Sequence, residues 1–568
     1  MTDHMTGGDH VTGTDSVTGT ESVTGTERVT GTDSVTRPRA GGEIAEQALR
    51  RRTFAVISHP DAGKSTLTEA LALHAEVIDS AGAVHGKAGR KGVTSDWMEM
   101  ERSRGISITS AVLQFAYRDH VINLLDTPGH GDFSEDTYRV LAAVDAAVML
   151  LDASKGLEAQ TLKLFDVCRS RGIPVITFVN KWDVPGREAL ELLDEVEQTI
   201  GLRPMPVTWP VGIAGDLRGV IECATGELSR YTRTAGGATR GAVEVLDPEQ
   251  AAAAEPLYTE TVTDELALLR EIGAEFDEAD YLAGTATPVL FGAARHGVGV
   301  GRLLDALVDL APPPAPRPDA EGVPRELDTP LSGLVFKVQA GMDRSHRDRT
   351  AFLRVNSGRF ERGMVLTHAA TGRPFATKYA QAVFGQQRTT LDEAFPGDIV
   401  GLVNAGILRP GDTLYADTPV HFPTIPSFAP EHFAVVRASD AGRYKQFRRG
   451  ISQLDSEGVI QVLRSDRRGD QAPVLAAVGP LQFEVVTARL DTEFGSPVRL
   501  EPLPYSIARL TDADAAPILN QESEVEVLTR SVDDALLAVF VNKWRMETVR
   551  RKHPDLTLEP LLAGSVER

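Results

Sequence analysis

The stretch TFAVISHPDAGKST, from Thr53 to Thr66, constrains this chain more than any other: an apolar strand runs through a tight turn directly into a helix start. That order is the one a phosphate-binding loop requires. Unpaired backbone N–H groups around Gly63 and the helix N-terminus can cradle phosphate oxygens at the positive end of the helix dipole. Ser58, His59, Pro60, Asp61, Ala62 and Gly63 form the loop. Lys64 reaches the β- and γ-phosphates, Ser65 offers a hydroxyl to Mg²⁺, and Thr66 continues the helix. The strict pattern has glycine where this chain has Ser58.

Two further motifs narrow the chemistry. VINLLDTPGH puts Asp126 at the end of an apolar strand, where a carboxylate can hold Mg²⁺ through water, and follows it with Thr127, Pro128 and Gly129, whose N–H can sense a γ-phosphate. His130 comes next, at the place where GTP-hydrolysing proteins orient the attacking water; the bland alternative is a histidine satisfied by a turn carbonyl. VITFVNKWD ends a second strand on Asn180, Lys181, Trp182 and Asp183. A carboxylate at Asp183 can accept from both N1–H and the exocyclic amine of guanine, a donor pair adenine lacks, so the base selected is guanine and the ligands are GTP and GDP. Asn180 would brace the loop and Lys181 would lie along the base. His130, Lys64 and Asp126 are the catalytic candidates, and Ser65, Asp126 and Ser107 the Mg²⁺ ligands. Ser107 lies in SDWMEMERSRGISIT, a polar segment placed to order around a γ-phosphate; Thr109 is its fallback, and Trp97 and Met98 could equally be packing residues.

Around these motifs, apolar strands alternate with amphipathic helices from Thr53 onward, which predicts a mainly parallel sheet covered by helices. Strands are expected at 54–58, 112–117, 121–126, 146–152, 174–179 and 288–291, and helices at 65–74, 133–142, 158–171 and 188–200, with a tight turn over 118–120. The expected organisation is a disordered repeat tail over 1–42, an α/β P-loop GTPase domain over 43–316 with an insertion near 210–282, a β-barrel over 325–420 and a C-terminal α+β domain over 421–568. The tail repeats VTGTDS, VTGTES, VTGTER and VTGTDS from Val11, with no aromatic residue to bury. The proline run in 311–318 reads as a linker.

Composition bounds the partners. A formal net charge of -21 argues against a simple basic nucleic-acid binder, so any RNA contact must be local; Arg448 with Arg449, and Arg464 with Arg467 and Arg468, are clusters that more often mark a solvated face. No apolar stretch approaches the roughly 20 residues that span a bilayer. Cys168 and Cys223 are too few for a disulfide framework, and no signal peptide opens the chain, which favours the cytoplasm.

SHPDAGKST, SDWMEMERSRGISIT, DTPGHGDFSEDTYR and NKWD together resemble the translational GTPases, and among them the class II release factors. The likeness continues through FGAARHGVGVGRLLDAL, FKVQAGMDRSHRDRTAFLRVNSGRFERGM, QLDSEGVIQV and AVGPLQFEVVTARL, over about Thr53 to Pro554. The resemblance implies a ribosome-dependent GTPase of translation termination that promotes departure of class I peptide chain release factors, a monomer by default, with large-subunit ribosomal RNA helping to place His130. Gly292, Ala293 and Ala294 stand where many GTPases carry Ser-Ala, with the Ala294 N–H in reach of guanine O6. Ser107 replaces the threonine of elongation factors, and NKWD is followed by VPGRE. The competing readings are a translocase-like or ribosome-protection factor, which would need more than the residues left after Phe422, and a GTP-regulated binding module that barely hydrolyses.

Overall fold

The computed structural model describes residues 42–76, 111–232, 241–340, 349–384, 387–425, 428–469 and 471–561. The hexapeptide repeats lie outside the described residues, as does the segment carrying Trp97, Met98, Ser107 and Thr109.

The central sheet runs in the order Ala111–Tyr117, His120–Asp126, Arg51–Ile57, Ala146–Asp152, Val175–Asn180, Ala286–Phe291, Arg203–Pro206. Only the first pair is antiparallel, closed by a hairpin in which Arg118 and Asp119 both have positive φ, as a tight turn matched to strand twist requires. The other pairs are parallel. A parallel sheet covered on both faces needs strands apolar throughout, and Ala146–Asp152 is buried at every position. Above one face, Leu67 and Leu71 of the helix Lys64–His74 meet Leu303, Leu304 and Leu307 of the helix Val300–Leu310. On the other lie the helices Ser134–Leu141, Ala159–Ser170 and Ala189–Ile200, the last burying Leu192, Leu193, Val196 and Ile200 along one stripe.

The strand Arg203–Pro206 was not among those expected. Its sequence RPMP contains two prolines, which cannot donate to a ladder and are tolerated because this strand is the sheet edge. Immediately after it the chain leaves the sheet: Thr208–Val211, Gly219–Glu222, Leu228–Tyr231 and Val243–Leu246 form a separate antiparallel sheet, followed by the helices Pro248–Ala254, Pro256–Glu271 and Glu278–Leu282.

Beyond the proline run the chain is antiparallel. Ser332–Ala340, Arg349–Ser357 and Ile399–Val403 pair in sequence around a core that includes Val335, Leu353, Phe360, Leu366 and Leu414. This barrel is fastened to the first domain. Phe336, Phe352 and Ile399 share a core with Val140, Leu141 and Val144, and Arg354 Nη2 clasps both oxygens of Asp145 at 2.7 and 2.8 Å. Arg51 Nε bonds Asp398 at 2.8 Å. The linker is itself pinned, since Arg317 donates to the carbonyls of Ala142 and Val144 at 2.5 and 2.7 Å.

The last domain is an antiparallel sheet ordered Val498–Leu503, His432–Ala438, Val474–Ala477, Gln461–Arg464, Val525–Arg530, Leu536–Phe540, Ile507–Thr511, Glu559–Pro560. The helices Tyr444–Ser456 and Pro480–Thr492 cover one half and Lys543–Lys552 the other. Among the described residues no helix is long and apolar enough to cross a membrane.

Candidate guanine-nucleotide site

The three motifs converge at the carboxyl ends of the parallel strands, where open α/β sheets bind ligands. Gly63 caps the helix Lys64–His74 at φ 97° and ψ 26°, a conformation that side chains other than hydrogen resist. A Cβ there would also fall 2.6 Å from Asn180 Nδ2. Asp61 adopts a positive φ as well, so the loop is held in a shape the bare chain would avoid. Ser58 fits in place of glycine because its side chain is fully buried and its hydroxyl donates to the carbonyl of His59 at 2.9 Å.

What holds the loop is the base-reading segment. Asn180 Nδ2 donates to Ala62 O at 2.9 Å, and its Oδ1 accepts the N–H of Ala294 at 2.9 Å, so one side chain ties the NKWD strand end to the phosphate loop and to the turn at Ala294. The amide expected to reach guanine O6 is thus already engaged by Asn180. Lys181, itself at φ 66°, donates to the carbonyl of Asp61 and forms a 2.9 Å ion pair with Asp152. Asp152 was not singled out in the sequence. It ends a strand whose parallel partner ends on Asn180, and that register could have revealed it. Its carboxyl lies below the usual range although burial alone would raise it, because Ser154 and Lys181 hydrogen-bond the charged form.

Asp126 sits at the end of its strand, 2 % exposed, in register with Val56 just before the loop. Thr127 turns its hydroxyl inward to Val56 O at 2.6 Å, so its side chain serves the turn. A Cβ on Gly129 would lie 3.2 Å from Lys64 Nζ, which places the ammonium against the DTPGH turn. Pro128 is buried, Thr66 exposed, and Pro60 partly covered at the rim. His59 does not face the loop mouth: it is 1 % exposed with Nε2 3.5 Å from Glu158, and burial pushes its imidazole below the ordinary value against the pull of Glu158. His130 lies at the rim, its side chain 40 % exposed and Nδ1 3.2 Å from Asp132 Oδ1.

Trp182, expected among the nucleotide contacts, is a correction. Its ring is 1 % exposed and packs edge-on against Phe291 at 5.2 Å, in the core beneath the insertion. The strand ends at Asn180, and the turn that follows, with Lys181 at φ 66°, carries the Trp182 ring inward. Asp183 is largely covered, its side chain 13 % exposed, and His296 Nε2 lies 3.3 Å from its carboxylate, a neighbour not foreseen from the sequence. Gly292 accepts the Trp182 N–H through its carbonyl at 3.1 Å, and Ala293 is fully buried, so both shape the pocket wall through backbone. Of the basic clusters, Arg464 and Arg468 pair within their own domain with Asp534 and Glu526, while Arg448 and Arg449 are exposed.

A strained phosphate loop braced by an Asn-Lys-x-Asp strand end, with a carboxylate on the neighbouring strand, defines a P-loop GTPase. Residues 49–313 match the Elongation factor Tu GTP binding domain, residues 330–417 Elongation factor G domain 2, and residues 422–550 the Class II release factor RF3, C-terminal domain. Peptide chain release factor 3 of Synechococcus elongatus is 46% identical over 531 residues, covering 92% of this chain and 95% of that protein. That of Microcystis aeruginosa is 46% identical over 91% of this chain and 96% of its own. A crystal structure from Thermus thermophilus shares the fold at a TM-score of 0.64 and 24% identity, over 80% of this chain and 68% of its own. The chain belongs to the peptide chain release factor 3 family. It is a GTPase of translation termination, and the competing readings are not favoured.

Proposed function

We propose that the chain binds GTP across the loop 58–66, the DTPGH turn and the NKWD strand end, and hydrolyses it on the ribosome to drive class I release factors off after peptide release. The observation that supports this reading best is Asn180, whose amide ties the phosphate loop to the base-side loop so that both ends of one nucleotide are gripped by one rigid unit. Lys64, beside Gly129, draws charge from the γ-phosphate. Asp183 accepts from guanine, and His130 at the exposed rim orients the attacking water.

Ser65 and Asp126 are the hydroxyl and carboxylate that a hard divalent cation accepts, so these residues, with Ser107 or Thr109, would hold Mg²⁺. When bound, the ion supplies neutralisation of charge developing on the β- and γ-phosphate oxygens. Three domains serve the reaction: 43–316 with its insertion binds nucleotide, while 325–420 and 421–568 present it to the ribosome. The protein acts in the cytoplasm as a monomer, and large-subunit ribosomal RNA completes the placement of His130.

The test is GTP turnover by the purified chain, alone and with ribosomes stalled at a stop codon carrying a class I release factor, while that factor's departure is followed. Stimulated turnover with accelerated departure is expected. Stimulation without departure would make this a ribosomal GTPase of another kind, and absence of stimulation would overturn the proposal.

A further inference from the structure

The turn that carries His130 is joined to the C-terminal domain through one carboxylate. Asp132 Oδ1 lies 3.2 Å from His130 Nδ1, while its Oδ2 accepts the N–H of Leu481, in the first turn of the helix Pro480–Thr492, at 2.7 Å. The Asp132 side chain is 14 % exposed. Beside it Phe133 is buried against Leu481, Val485 and Val459, so the contact has an apolar floor. Gly479 closes the other side: a Cβ there would fall 2.1 Å from Asp132 Cγ. Its backbone is extended, at φ -144°, so glycine is required by this approach and not by conformation.

We infer that Asp132 is a positioning residue through which docking of the helix Pro480–Thr492 sets the orientation of His130. This rests on the reading of His130 as the water-orienting side chain. With the helix docked, Oδ2 is committed to Leu481 and the carboxylate cannot rotate, so Oδ1 has one place beside the ring. The ring is anchored at the same atom by the Asp132 N–H, which donates to Nδ1 at 3.3 Å. A displacement of the C-terminal domain removes the partner of Oδ2, frees the carboxylate and costs the ring its reference. Hydrolysis is thereby coupled to the posture of the domain most distinctive of this family.

Two variants separate positioning from stability. Asp132→Asn can keep the Leu481 bond through its amide oxygen but puts beside His130 an N–H donor that competes with the backbone N–H of residue 132 for Nδ1 and turns the ring; Gly479→Ala leaves the carboxylate intact and displaces it. In the full chain with ribosomes, both are expected to lower stimulated kcat by about tenfold or more with KM for GTP within about twofold of the parent. His130→Ala and the double variant His130→Ala/Asp132→Asn are expected to turn over equally slowly. Parental kcat in Asp132→Asn alongside an inactive His130→Ala would overturn the inference while leaving the site reading intact. So would a loss that appears in KM, or one that recurs undiminished in the His130→Ala background. Parental turnover in His130→Ala itself would sink the site reading, and this inference with it.

Discussion

At the residue scale, the site depends on a few atoms with no slack. Gly63→Ala faces both a left-handed backbone and a Cβ 2.6 Å from the Asn180 amide. One of the two must move, and the Asn180 brace is lost with it. GTP affinity is expected to fall by more than about tenfold, ~1.4 kcal/mol, measured by equilibrium binding. Asp183→Asn keeps the shape of the base pocket but replaces one acceptor by a donor against guanine N1–H or the exocyclic amine. Each lost charge-assisted bond costs about 1.5–3 kcal/mol, so preference for GTP should collapse in competition binding. Equal affinity in variant and parent would remove Asp183 from the site. The shape of the phosphate loop was legible because it is local, a backbone turn with glycine at one position. Trp182 was not, since nothing in Asn-Lys-x-Asp tells which way the third side chain turns until the insertion core with Phe291 is packed against it.

Among elements, the helix Tyr444–Ser456 carries a buried acid whose cost can be read by titration. Asp455 accepts the Val462 N–H at 3.1 Å, yet burial raises its pKa from 3.8 to about 6. The raised value means the folded state holds the proton longer than the unfolded chain does. Stability from this group is therefore full below about pH 4, is lost as pH rises from about 4 to about 6, and stays lost above; the loss is on the order of 2–3 kcal/mol. Asp455→Asn keeps the acceptor and removes the ionisation. Its melting temperature should gain on the parent between pH 4 and 6 and hold that lead at pH 7; parallel curves would refute the assignment. Four helices and most strands of the first domain were legible at this scale from apolar periodicity; the helix Val300–Leu310 was not among those expected. Arg203–Pro206 escaped because its two prolines argue against a strand, and only its place at the sheet edge makes them harmless.

For the whole molecule, the joint between the first domain and the barrel is a buried charge cluster. Asp145 receives Arg354 at 2.7 and 2.8 Å and Arg317 at 3.3 Å, with Arg354 1 % exposed. Removing one partner of such a pair strands the other, at about 3–5 kcal/mol. Arg354→Ala is expected to loosen the barrel, seen as a lower or split thermal transition and faster proteolysis in 311–331. Asp145→Ala, which leaves two guanidinium groups uncompensated, should do so more severely; a milder effect than Arg354→Ala would count against the cluster. By itself the sequence determined the α/β GTPase domain followed by antiparallel domains, and the loop at its phosphate end, because each rests on patterns within short stretches of chain. Only the tertiary structure decided that Asp152 steadies Lys181, that Trp182 faces the core, and that Asp132 links His130 to Leu481, 349 residues away in the chain. Such pairings carry no periodicity and no motif, and they exist only once separate cores have packed and fixed which surfaces meet.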